Sequence, residues 1–227
     1  MGNCNCQQHH QLMASCGTKR LYSMRTKKCV YSGHPNEWRN LSSHNFPAMQ
    51  EGRSGHASCS LGDKLYVFGG CCGDAKEKKR SNADFFCYDF RSEKWAEIKQ
   101  AGPVPCARAS FAITEGVDRT IVLSGGTGDG GVLDDIWIYK TDRNQWSKIT
   151  PTCQKSSSFY GHSMVQWRGA LYLYGGCHGG SDYNSEVFRY CLETNTYEKI
   201  NTCGDKPSAR YKHQAVVIGD EMVVTGG

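Results

Sequence analysis

The chain reads as an all-β protein built from four-stranded antiparallel blades, and three observations predict this. Gly-Gly pairs end at Gly70, Gly126, Gly176 and Gly227, a period of about fifty residues. Aromatic residues keep the same beat at Trp38, Trp95, Trp146 and Tyr197, each with a tyrosine seven positions earlier: Tyr31, Tyr88, Tyr139 and Tyr190. Between these markers lie short apolar runs rich in Val, Ile, Tyr and Phe and bounded by Gly, Pro, Asn and Asp, the pattern of strands rather than helices. A repeat of this length marks a propeller or a similar array, in which each unit stacks on its neighbours to bury its apolar face. Such an array points to a binding surface before it points to an enzyme.

In chain order, residues 1–28 are polar, Gln/His-rich and then basic, with no sustained period; they read as a disordered arm. A half unit spans 29–43 and carries Tyr31 and Trp38. Three full units follow at 53–98, 104–149 and 159–200, and a second half unit covers 207–227. The first unit predicts strands at 56–61, 64–68, 85–90 and 94–98. The second predicts them at 110–114, 120–123, 135–139 and 145–149, and the third at 162–166, 170–174, 186–190 and 196–200. The last half unit supplies strands at 212–217 and 221–224. Gly62-Asp63, Arg168-Gly169 and Gly219-Asp220 suit two-residue hairpin turns. The pairs Gly69-Gly70, Gly125-Gly126, Gly175-Gly176 and Gly226-Gly227 close the second strand of each unit. There the chain must turn sharply beside the neighbouring blade, and glycine allows positive φ. The spaced Tyr and Trp rings are expected between blades. No long helix fits this spacing.

Composition agrees. The 227 residues are 38% apolar, with 26 Gly and 12 Tyr, and no apolar run is long enough for a transmembrane helix. The N-terminus has no apolar core of a secretory signal, so the thirteen cysteines are expected as reduced thiols in the cytoplasm. Cys59, Cys87 and Cys191 fall in strand-like runs as small apolar fillers. The net charge of +5 resides in residues 1–40, while residues 41–227 hold 21 basic and 21 acidic side chains. The globular part therefore has no basic bias toward nucleic acid.

Arg53-Ser-Gly-His56, Lys64-Leu-Tyr-Val-Phe-Gly-Gly70, Tyr88-Asp89 and Trp95 together resemble a kelch repeat. The later units vary it: Phe111 near the usual His and Leu-Ser-Gly-Gly126 in the second, Tyr160-Gly-His162 and Tyr197 for Trp in the third, Arg210-Tyr-Lys-His213 in the fourth. The resemblance covers 29–227 and implies a kelch β-propeller. The segments 159–162 and 207–213 are most similar to the kelch domain-containing ubiquitin-ligase substrate receptors. That group implies a propeller that binds C-terminal tails of other proteins and works with a cullin–elongin assembly. Its cullin-binding box lies outside the propeller and is not visible in residues 1–227.

Candidate partner-binding residues follow. Arg53, Arg108 and Arg210 recur just before the first strand of a unit, with Tyr160 assigned that place in the third. Such arginines can grip an acidic peptide or a terminal carboxylate by paired bonds, or can bond loop carbonyls between blades. Lys78, Lys79 and Arg80 form a basic tip on the loop after Gly70, where units differ most and where specificity usually lies. His56, His162 and His213 read as strand-start residues that bond backbone. Gly126 to Gly131 matches G-x-G-x-x-G, but a strand follows instead of the helix a dinucleotide site requires. No catalytic motif, metal site or cofactor site is visible, so a non-enzymatic protein–protein interaction module is expected. The alternative is a cytoskeletal or membrane-proximal scaffold. Gly2, Cys4 and Cys6 offer acylation sites for it, although Cys6 stands where a myristoylation signal prefers Ser or Thr.

The missing half blade at one end matches the extra half blade at the other. Closure would give a four-bladed ring, tight for such bulky rings, so the expectation is an open arc of a larger propeller continuing past Gly227.

Overall fold

Short strands buried almost throughout at the blade centres, such as Lys64–Phe68, Phe85–Asp89 and Thr120–Ser124, build the sheets. The computed structural model describes residues 29–31, 38–40, 52–72, 80–152 and 159–227. It contains three four-stranded antiparallel meanders, each with its strands in sequence order. The first blade comprises Ala57–Leu61, Lys64–Phe68, Phe85–Asp89 and Lys94–Glu97. The second comprises Ala112–Glu115, Thr120–Ser124, Ile136–Lys140 and Gln145–Ile149. The third comprises Ser163–Trp167, Ala170–Tyr174, Val187–Cys191 and Thr196–Ile200. Gln214–Ile218 pairs with Glu221–Thr225 as a half blade, and Cys29–Tyr31 pairs with Trp38–Asn40 as another. Among the described residues no sheet joins the two half blades. In the N-terminal hairpin Tyr31 faces Trp38, the same register as Tyr88 with Trp95, Tyr139 with Trp146 and Tyr190 with Tyr197.

Strand ends move by one or two residues from the sequence expectation. The first strands start later, at Ala57, Ala112, Ser163 and Gln214, because the residue before the His or Phe position turns through positive φ at Gly55, Ser110, Gly161 and Lys212. The two-residue turns form as expected: Leu61 pairs with Lys64, Trp167 with Ala170 and Ile218 with Glu221. Gly62, Arg168, Gly169 and Gly219 have positive φ there, matching the twist of the strands they join.

Blades hold together through rings. Trp146 is 1% exposed and packs on Phe68 and Phe85 of the preceding blade at 5.7 and 5.3 Å, while Phe85 meets Tyr139 edge-on at 4.9 Å. Burying each such ring stabilises by about 1.5–3 kcal/mol. Between the second and third blades the aliphatic Val122 and Ile136 meet Phe159, Met164, Leu173 and Tyr197. Trp95 is only half-buried. Cys59 and Cys87 are buried fillers, but Cys191 is half-buried, because it closes the third strand at the outer hairpin rather than facing the core.

The Gly-Gly pairs carry the blade-to-blade contacts. A Cβ on Gly69, Gly125 or Gly175 would lie 2.7, 2.5 or 2.6 Å from a carbonyl oxygen of the next unit, those of Arg108, Phe159 and Arg210. The N–H of the following glycine donates to that same carbonyl, from Gly70, Gly126 and Gly176, at 2.8–2.9 Å. Close approach and bond together require a residue without a side chain.

Candidate partner-binding face

The first strands of successive blades lie side by side, so the loops that lead into them converge on one end of the array. A further set of backbone bonds ties these loops together. Ser110 N–H donates to Gly55 at 2.7 Å, Gly161 to Ser110 at 2.6 Å and Lys212 to Gly161 at 2.7 Å. Around this series lies a cavity of about 250 Å³, lined by Ser54, Gly55, Ser110, Gly161, His162 and Lys212 among others.

The bonds also fix which residues correspond between units. Gly70, Gly126 and Gly176 donate to Arg108, Phe159 and Arg210, and the residues next in chain pair alike, Ser54 with Cys71, Ala109 with Thr127 and Tyr160 with Cys177. The residue at the arginine position of the third unit is therefore Phe159. Tyr160 belongs one place later, with Ser54, Ala109 and Tyr211. Counting back from Gly161-His162, as from Gly55-His56, gives this register from sequence alone.

Two of the three arginines are frame. Arg108 has no exposed side-chain surface. Its Nη1 and Nη2 donate to the two Asp135 carboxylate oxygens at 2.6 and 2.8 Å, Nη1 also donates to Gly125 O at 3.0 Å, and Nε to Cys106 O at 3.1 Å. Burial raises the Asp135 pKa, but the bonds from Arg108 and Trp137 and the arginine charge outweigh it and hold the carboxyl below its usual value. Arg53 repeats the clamp with Gly69 O at 3.1 Å and Asp84 at 3.2 Å, its side chain 3% exposed. Neither guanidinium has a face to offer a partner. Phe159 ends the clamp in the third unit; there Asn184 donates to Gly175 O at 3.2 Å, and Glu186 turns to Lys199 at 3.2 Å. Arg210 keeps the glycine bond, to Gly226 O at 2.9 Å, and bonds Ser208. It has no carboxylate partner among the described residues and is partly exposed.

Tyr160 lies on the open face. Its ring meets Tyr211 edge-on at 6.2 Å, and Tyr183 meets Tyr211 at 5.2 Å. Arg80 is exposed on the strand Arg80–Ser81, in a small sheet with Cys71–Cys72 and Arg53–Ser54. Lys78 and Lys79, the acylation candidates Gly2, Cys4 and Cys6, and the arm 1–28 lie outside the described residues. Gly126 to Gly131 forms the start of a small hairpin, Thr127–Gly128 with Gly131–Val132, so no helix N-terminus exists there to hold a pyrophosphate. His56, His162 and His213 are buried at blade boundaries; His162 and His213 lie with their rings against Gly125 and Gly175 of the preceding unit. Burial, with help from nearby positive charge, lowers each of their pKa values to about 4. His213 also bonds Ser163 at 2.8 Å. Among the described residues no cluster of three metal-type ligands occurs, and no helix is long and apolar enough to cross a membrane.

Sequence reasoning passed over Lys212 and Tyr211. Lys212 adopts φ of +55°, where the other units have Gly55, Ser110 and Gly161. Its Nζ lies 5.2 Å above the Tyr211 ring.

Comparison with known proteins agrees with this architecture. Residues 6–227 match a family model described as the KLHDC2/KLHL20/DRC7 Kelch-repeats domain. Kelch domain-containing protein 10 of Xenopus tropicalis is 29% identical over 190 residues, which is 77% of this chain and 45% of that protein. The Homo sapiens protein of the same name is 28% identical, over 77% of this chain and 42% of its own length. A Drosophila melanogaster leucine-zipper-like transcriptional regulator 1 homolog is 25% identical over 182 residues, 76% of this chain and 18% of that protein. The chain thus spans less than half the length of these relatives. A solved structure, described as the structure of YjhT, superposes with a TM-score of 0.71 at 16% identity, over 89% of this chain and 66% of the other; at that identity it speaks for the fold alone.

Proposed function

The chain belongs to the KLHDC2/KLHL20/DRC7 kelch-repeat family, and we propose that it is a non-catalytic interaction module that takes an acidic or carboxylate-ended peptide of a protein partner at the end of the array where the loops before the first strands converge (the channel mouth). The observation that carries this reading is the cavity of about 250 Å³ among the loops of four successive units, with Lys212 on its wall. Arg210 stands two residues away, partly exposed and bonded to Gly226 O and Ser208. Cations beside a concave, partly apolar wall favour a carboxylate carried on an extended chain. Arg53 and Arg108 serve this site indirectly, by fixing the loops. Tyr160, Arg210 and Lys212 make the contacts, with Arg80 steering acidic partners toward them and the basic sequence of Lys78 and Lys79 adding to the same charge.

The finer proposal extends the resemblance of residues 159–162 and 207–213. The face selects substrates for a cullin-type ubiquitin ligase in the cytoplasm, in an assembly with cullin and elongin.

The test is binding of labelled acid-ended peptides to the intact chain and to an Arg210→Ala/Lys212→Ala variant with an unchanged melting profile. Binding should fall at least tenfold, as expected for losing charge-assisted bonds. Equal binding by the variant would refute the assignment of these cations.

A further inference from the structure

The repeat departs from its own pattern on one side of the channel mouth only. Where the first two units place Ser54 and Ala109, the third and fourth place Tyr160 and Tyr211. The loop strand Asp182–Tyr183 adds Tyr183, 42% exposed, and Tyr211 stands between the other two rings, 5.2 Å from Tyr183 and 6.2 Å from Tyr160. Phe159, in the place of a clamping arginine, backs this side and meets His178 in a tilted contact at 4.3 Å. The opposite side carries the small Ser54 and Ala109.

Two details indicate what the cluster accepts. Lys212 keeps a left-handed φ of +55°, a conformation that costs an L-residue about 1–2 kcal/mol and that glycine would adopt freely. Ser110 takes the same φ of +55° in the second unit, so the turn belongs to the repeat, and what is particular to Lys212 is the cation it carries on the cavity wall. The Lys212 ammonium also stands 5.2 Å over Tyr211, so a cationic ligand group is repelled while an anion is drawn in. Gly161 completes the seat: Tyr211 packs so closely that a Cβ on Gly161 would lie 3.2 Å from the ring and from Lys212 N.

We propose that Tyr160, Tyr183 and Tyr211 seat an apolar side chain of the partner peptide directly beside the acidic group held by Lys212. This rests on the channel-mouth reading above and adds the neighbour of the acid as a second recognition element. Aromatic rings with partly exposed faces give an aliphatic group apolar contact at little entropic cost. Lys212 sets the sign of the adjoining charge.

Three labelled peptides, identical except for endings of Leu-Glu, Ser-Glu and Leu-Lys, decide the matter by fluorescence polarisation with the intact chain. C-terminally amidated copies separate a side-chain acid from a terminal carboxylate. Leu-Glu should bind about tenfold more tightly than Ser-Glu, as burial of one aliphatic side chain predicts, and more tightly than Leu-Lys. A Tyr183→Ala/Tyr211→Ala variant should erase the preference for Leu over Ser and retain the preference for Glu over Lys. Tyr183→Ala alone, at an exposed position, serves if the double variant fails to fold. Equal binding of Leu-Glu and Ser-Glu, or a Leu preference that survives the tyrosine variants, overturns the seat while leaving the acidic site standing. Tighter binding of Leu-Lys makes the cluster a cation cage and overturns the proposal. If no acid-ended peptide binds at all, the channel-mouth reading itself fails.

Discussion

Replacing Arg108 with alanine tests whether the repeated arginine belongs to the frame or to the ligand. The guanidinium has no exposed surface, and Asp135 keeps one tenth of its side chain exposed. Removing one partner of a buried pair leaves the other charge without compensation, a loss of about 3–5 kcal/mol. The carbonyls of Gly125 and Cys106 also lose donors, while Trp137 Nε1–H still donates to Asp135 at 2.7 Å. The expected loss is therefore about 3–4 kcal/mol. Arg53 offers an internal control, since its acid partner Asp84 is 41% exposed and the contact is single, at 3.2 Å. Solvent screens that pair, and Arg53→Ala should cost about 1–2 kcal/mol. Urea unfolding followed by tryptophan fluorescence measures both. An Arg108→Met/Asp135→Leu double variant should recover much of the loss, because both charges leave together. A loss for Arg108→Ala below about 1 kcal/mol, or no larger than that of Arg53→Ala, would refute the buried-clamp reasoning.

Two further outcomes follow from the blade contacts. His56, His162 and His213 titrate near 4 in the folded chain because burial disfavours the charged ring, against about 6.5 when unfolded. A depressed histidine pKa contributes nothing to pH dependence above 6.5 and loses stability as pH falls toward 4, by about 2 kcal/mol per ring at pH 5. Denaturation at pH 7 and pH 5 checks this, and a flat profile would contradict the burial argument. Gly125→Ala forces a Cβ to within 2.5 Å of Phe159 O at a φ of +60°, so it should cost more than about 2 kcal/mol by thermal melt; a neutral result would mean the blades are not held so closely there.

Much of the architecture was legible because the repeat states it several times. The Gly-Gly spacing located every second strand, and the Tyr-to-Trp spacing located strands three and four even in the N-terminal hairpin, where Tyr31 faces Trp38. What the sequence hid is contact. Arg53, Arg108 and Arg210 are alike in one-dimensional context, and only the contacts show that Asp84 and Asp135 hold the first two as buried frame. Tyr160 resembles a polar stand-in for arginine in the sequence, whereas the structural stand-in, Phe159, swaps charge for apolar packing. Lys212 is not marked in the sequence, since what sets it apart is its place on the cavity wall and over the Tyr211 ring. The tyrosine cluster joins residues from separate turns, and no spacing rule connects 160, 183 and 211.

The series of loop bonds from Gly55 through Ser110 and Gly161 to Lys212 runs in one sense, each N–H feeding the carbonyl of the unit before. It behaves like a zip fastener. Tilting one peptide plane deprives the next loop of its acceptor, so a pull exerted at Lys212 is shared with Gly161 before it is spent. Four loops far apart in sequence are thus fastened edge to edge, so the place of each is set by its neighbour.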